Sequence, residues 1–67
     1  MSKEQELLIW LITSDMTQFL IEDEHLSLEQ AMDKVYNSKH YKKLLDTRTG
    51  FYRESGGYNY QILKGEI

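Results

Sequence analysis

Apolar residues recur along the first third of the chain at three- and four-residue steps. Leu8, Ile9, Ile12, Met16, Phe19 and Leu20 would share one broad face of an α-helix, where positions come back into line about every 3.6 residues. Leu7, Trp10, Leu11 and Ile21 widen that face beyond what one neighbouring helix covers. Such a helix is either central to the fold or meets another chain. Ser2 with Gln5 has the spacing of a capping box, and Glu4 and Glu6 fall in the first turn, where the helix dipole favours acids. Glu22 to Glu24 put acids at the unfavourable negative end, so the pattern predicts a helix over 3–23.

The same punctuation returns further on. Ser27 with Gln30 repeats the capping box, and Leu26 and Ala31 occupy the hydrophobic-staple positions around it. Leu28, Ala31, Met32, Val35 and Tyr36 then follow the spacing of a single buried face, and Asn37 is a stop, which predicts a helix over 28–37. Ser38 can cap a short third helix over 39–46, with Tyr41, Leu44 and Leu45 inward and Lys39, Lys42 and Lys43 outward. Asp46 to Gly50 reads as a loop, because Asp, Thr and Gly favour turns.

The tail reads in two ways. Gly56-Gly57 lies between Phe51–Ser55 and Tyr58–Ile62, and Tyr58, Tyr60 and Ile62 alternate with Asn59 and Gln61, as in a β-hairpin. Alternatively, Ser55 caps a fourth helix over 56–65 with Tyr58, Ile62 and Leu63 on its inner face. A lone hairpin is poorly stable without a third strand, and none is evident, so the helical reading is preferred. The expected fold is all-α, a compact small domain of four helices with a long first helix. The alternative is three helices plus a C-terminal β-hairpin around Gly56-Gly57.

Composition narrows the function. The 67 residues make one domain, 1–67, with a small core. No cysteine is present to form a disulfide or a thiolate zinc site, which leaves oligomerisation as a route to extra stability. Leu7 to Ile12 is an apolar run of six preceded by Glu4 and Glu6, unlike a secretory signal, and no segment reaches the roughly 20 apolar residues of a membrane span. A cytoplasmic location is expected.

The net charge of −3 hides an asymmetry. Residues 1–33 hold eight acids against one base, whereas residues 34–67 hold seven bases against three acids. Folding one half against the other would partly cancel the two fields; left uncancelled, they would steer partners.

Candidate chemistry is sparse. Glu22, Asp23, Glu24 and His25 are the only dense group of potential metal ligands, but no further ligands appear at partner spacing, and a solvated helix end is the simpler reading. His40 sits in a basic, aromatic stretch with Lys39, Tyr41, Lys42 and Lys43, which suggests a nucleic-acid contact, yet the chain is acidic overall. A solvated face is the default there as well. There is no nucleophile elbow, phosphate loop or dinucleotide fingerprint, so no catalytic residue, metal or cofactor is expected and the enzyme class is the weakest. The aromatics remain. Phe51 and one of Tyr58 or Tyr60 are expected to pack inside, while Tyr52, beside Arg53, is expected to face outward as a contact pair.

Tyr36-Asn37-Ser38-Lys39, Tyr41, Lys43-Leu44, Thr49-Gly50, Tyr52, Ser55, Tyr58 and Tyr60 together form a pattern. On these residues about half the chain resembles a group of small uncharacterised bacterial proteins, often encoded near toxin-like or mobile-element genes. The resemblance implies a companion protein with a helical tail. It carries over no functional residue, since the group has none assigned, and Gly56-Gly57 departs from the other small residues usual there. The expected function is a small protein-interaction or regulatory module, a homodimer or the partner of a co-encoded protein. Its candidate contacts are Tyr52, Arg53, Tyr58, Tyr60 and Trp10. The alternative is a nucleic-acid-linked regulator using the basic second half.

Overall fold

In the computed structural model, which describes all 67 residues, each of the four α-helices begins at a serine. The helices are α1 (Lys3–Glu24), α2 (Leu28–Tyr36), α3 (Lys39–Leu45) and α4 (Gly56–Glu66). Ser2, Ser27, Ser38 and Ser55 are all extended, and their hydroxyls accept from the amides of Gln5, Gln30, Tyr41 and Tyr58 at 3.0–3.1 Å. Each cap satisfies one of the amides that a helix start leaves without a partner, and is worth about 1 kcal/mol. Both expected capping boxes close, through Gln5 and Gln30.

The chain contains no strand, so the hairpin alternative is excluded and the tail is helical. At about 1.5 Å per residue the 22 residues of α1 span about 33 Å, the longest dimension of the molecule. α2 and α4 pack directly on α1, and α3 is held mainly through α4. The expected loop from Asp46 instead contains a 3-10 turn over Thr47–Thr49, because the Asp46 carboxylate accepts from the Arg48 amide at 3.1 Å. A second 3-10 turn covers Phe51–Arg53. Gly50 joins the two turns at φ 75°, a left-handed conformation that glycine adopts without strain.

The core is drawn from every helix: Ile9, Ile12, Met16 and Leu20 from α1, Ala31 and Val35 from α2, Leu44 from α3, and Tyr60 and Leu63 from α4. Tyr52 closes it from the second 3-10 turn. Thr13 and Thr17 are also buried on α1, and their hydroxyls donate to the carbonyls of Ile9 and Thr13 at 2.7 and 2.8 Å. Satisfied within their own helix, they behave as small apolar residues on its inner face.

Several side chains lie elsewhere than their spacing suggests. On α2 only Ala31 and Val35 are buried; Leu28, Met32 and Tyr36 are 60%, 38% and 45% exposed. The helix turns its small residues to α1 and leaves its large ones overhanging the seam. On α3 His40 is buried and Leu45 is exposed, the reverse of expectation. On α4 Tyr60 and Asn59 are buried beside Leu63, whereas Tyr58 is exposed and Ile62 half-buried.

The glycine pair starts α4. An alanine Cβ at Gly56 would lie 2.5 Å from Asp15 Cβ, so the first turn of α4 sits directly against α1. Gly57 meets nothing closer than Ser55 Oγ at 3.9 Å.

Candidate functional site

The expected contact residues separate into two groups. Tyr52 is buried rather than outward-facing. Its hydroxyl accepts from Gln5 Nε2 at 3.3 Å, which ties the 3-10 turn to the start of α1, and from Arg53 Nε at 3.1 Å within the turn itself. These two donors lower the Tyr52 pKa below its usual value. Tyr60 is also buried, and its hydroxyl donates to Asp23 at 2.8 Å. Burial, helped by the bond to that carboxylate, pushes its pKa up to about 12. The Phe19 ring packs on it with centroids 5.1 Å apart. Both tyrosines therefore brace the fold. Arg53 is exposed and lies 5.3 Å over the Tyr52 ring. Tyr58 and Trp10 are free, at 50% and 62% exposure.

Trp10 is in distinctive company. It follows buried Ile9 on α1 and so points about 100° away from the core stripe, toward α2. There it lines an open groove with Thr13 and Thr17 of α1 and Leu28, Met32 and Tyr36 of α2. A second groove continues from Trp10 and Tyr36 to Met1, Tyr41 and Leu45. A third extends from Leu28, Met32 and Tyr36 onto the outer flank of α2, where Glu29 and Asp33 lie. Tyr36 is held in place by an edge-on contact with Tyr41, centroids 5.0 Å apart at 90°. Desolvation raises the pKa of the Tyr41 hydroxyl. Six of the ten exposed large apolar residues line this one continuous face, which makes it a patch and not scattered exposure. Tyr58 lines none of it, so Trp10 and Tyr58 do not form one site.

The other concentration of polar groups is sealed. His40 is 2% exposed, and its Nε2 lies 2.7 Å from Asn59 Oδ1. Asn59 Nδ2 donates to the carbonyls of Phe51 and Ser55 at 3.1 and 2.9 Å. With both amide protons committed, Oδ1 can only accept, so His40 Nε2 carries the proton. Nδ1 is then a buried acceptor without a partner. The Phe51 ring covers the imidazole edge-on at 4.8 Å. This node joins α3, α4 and the second 3-10 turn, and none of the surface grooves reaches it. Glu22, Asp23, Glu24 and His25 remain on the surface at the end of α1, and no cluster of His, Asp or Glu has the arrangement of a metal site.

Spacing pointed to Trp10 as surplus apolar surface but placed Leu28, Met32, Tyr36 and Leu45 in the core. The missing signal was the length of α2, whose nine residues bury little more than Ala31 and Val35. No helix is long and apolar enough to cross a membrane. Comparison with protein-family models, curated proteins and solved structures finds no match to this chain.

Proposed function

We propose that this chain is a small cytoplasmic protein-interaction module that holds a protein partner against the face around Trp10. The observation that carries this reading is the 62% exposure of its only tryptophan inside a continuous apolar patch. Tryptophan is a large side chain that a small core would be expected to use, and it is enriched among binding hot spots. A likeness to small bacterial proteins encoded near toxin-like or mobile-element genes would fit such a role. Arg53 and Tyr58, exposed elsewhere, would lie outside this contact.

Affinity purification from the native host with the unmodified chain and with Trp10→Ala/Met32→Ala as baits tests the proposal. The partner should be retained by the first and lost by the second. Truncating a central tryptophan should cost about 2 kcal/mol or more of binding, roughly thirty-fold in Kd. Because Trp10 and Met32 are only 62% and 38% exposed, the double variant should also lose about 1–2 kcal/mol of fold stability, and circular dichroism checks that it still folds. Equal retention by both baits would end the proposal.

A nucleic-acid-linked regulator is the second reading. It is favoured by Lys34, Lys39, Lys42 and Lys43, all exposed and none in an ion pair. It requires binding to DNA or RNA that weakens steeply with salt. No binding at low salt would remove it.

A further inference from the structure

We propose that the occupant of the Trp10 face is an amphipathic helix of a different protein, edged with Lys or Arg, and not a second copy of this chain. This rests on the reading of that face as an interaction surface. The residues lining the three joined grooves include the acids Glu6, Glu29 and Asp33 and no lysine, arginine or histidine; the one cation among them is the amino terminus of Met1, in the groove that Glu6 also lines. None of these acids is in an ion pair, since the molecule's one salt bridge joins Arg48 and Asp46. The rim therefore carries net negative charge, concentrated on the α2 side at Glu29 and Asp33, beside an apolar floor. A two-fold dimer through this face would set the patch against itself and offer Glu29 and Asp33 no basic side chain to pair with, so a second copy lacks the complementary charge. The same charge repels an anionic lipid surface. Lysine or arginine flanking an apolar stripe would instead meet the rim with complementary sign.

Backbone chemistry selects a helix. The groove walls are helices whose main-chain groups already bond within α1 and α2, so an extended segment would find no ladder to join. A helical segment satisfies its own backbone and needs only a side-chain stripe. The α1 wall from Glu6 to Gln18 is about 18 Å long, enough for about twelve helical residues.

The probe is a synthetic peptide of about fourteen residues, without tryptophan, that carries leucine on one helical face and lysine elsewhere. Its counterpart has glutamate in place of each lysine. Trp10, the only tryptophan, reports binding through its emission. The lysine peptide should shift that emission to the blue and bind at least about tenfold more tightly than the glutamate peptide. Glu29→Lys/Asp33→Lys should weaken the lysine peptide by about tenfold or more. Glu24→Lys/Glu54→Lys, of equal charge change but on residues that line none of the grooves, should leave it within about twofold. Circular dichroism confirms that both variants fold.

Equal binding of the two peptides, or equal weakening by the two double variants, overturns the proposal. So does the absence of any emission shift. Sedimentation of the unmodified protein over a concentration series separates the levels of failure. Self-association accompanied by a blue shift of Trp10, with no response to peptide, makes a second copy the occupant: the inference fails and the interaction reading stands. If the protein stays monomeric, binds neither peptide and retains no partner through this face, both fail.

Discussion

Adjacent glycines at the start of α4 should respond to alanine with opposite signs. In Gly56→Ala the new Cβ would stand 2.5 Å from Asp15 Cβ and 2.8 Å from Asp15 Cγ. Carbon atoms pack at about 3.5–4.0 Å. Rotating the Asp15 side chain would move Cγ but not Cβ, which is fixed to the α1 backbone. The helices must therefore part by about 1 Å where they are closest, and overpacking of this kind costs about 1–3 kcal/mol. Against that stands the helix preference of alanine over glycine, at most about 1 kcal/mol and less in a first turn. The net loss should be about 1–2 kcal/mol. For a domain of this size, each 1 kcal/mol shifts Tm by about 4–8 °C. Gly57→Ala meets only Ser55 Oγ at 3.9 Å and keeps the propensity gain, so its Tm should rise by a few degrees. Urea and thermal unfolding followed by far-ultraviolet circular dichroism, with both variants measured beside the unmodified protein, decide the matter. Replacing Asp15 by glycine removes the obstructing Cβ, so Asp15→Gly/Gly56→Ala should show a favourable coupling of about 1 kcal/mol. A Gly56→Ala protein as stable as the original would refute the close approach of α1 and α4.

Three further outcomes follow from local geometry. His25 ends α1 at φ 54°, a left-handed conformation that costs a non-glycine residue about 1 kcal/mol; His25→Gly should raise the urea midpoint, and an unchanged or lower midpoint counts against this cap. Asn59→Ala removes three buried hydrogen bonds and should cost about 2–4 kcal/mol, and imidazole nitrogen shifts in the unmodified protein should place the His40 proton on Nε2, a proton found on Nδ1 being the contrary result. Tyr60 in the folded chain titrates at about 12, above the ordinary value of about 10, so the unfolded chain loses that proton first as pH rises. Its contribution is complete below pH about 10 and declines up to about 12; the stability advantage over Tyr60→Phe should shrink across that window, and a constant difference in urea midpoint would show that Tyr60 is not raised.

Local chemistry explains why the helices were legible. A serine before each helix, with glutamine three residues on in two of them, is a short-range device whose effect depends on few distant contacts. The aromatic tail was harder, because Gly56-Gly57 satisfies a turn or a helix start equally well, and the residue against which Gly56 packs, Asp15, lies far away in sequence. Burial within a helix was less legible still. Leu28, Met32 and Tyr36 have the spacing of a core stripe, but a short α2 could bury only the side holding Ala31 and Val35. His40 read as part of a basic surface because nothing local announces Asn59, nineteen residues later, as its partner. The candidate face emerged in part from the surplus apolar breadth of α1. Its other half depends on α2 leaving its large side chains outside, which spacing alone does not dictate.

The start of α3 depends on a residue at the far end of the sequence. The amides of Lys39 and His40 donate to the Glu66 carboxylate at 3.0 and 2.8 Å. Seven residues are far fewer than the roughly 12–15 that an isolated helix needs in water. α3 is thus ordered by α4, and the two should open together as one cooperative unit although two 3-10 turns lie between them. Loosening the last turn of α4, as Glu66→Gln would, should speed amide exchange first at Lys39 and His40, in the middle of the chain. A unit of unfolding in this protein should therefore be discontinuous in sequence: a perturbation at its last helical residue should be felt twenty-six residues earlier.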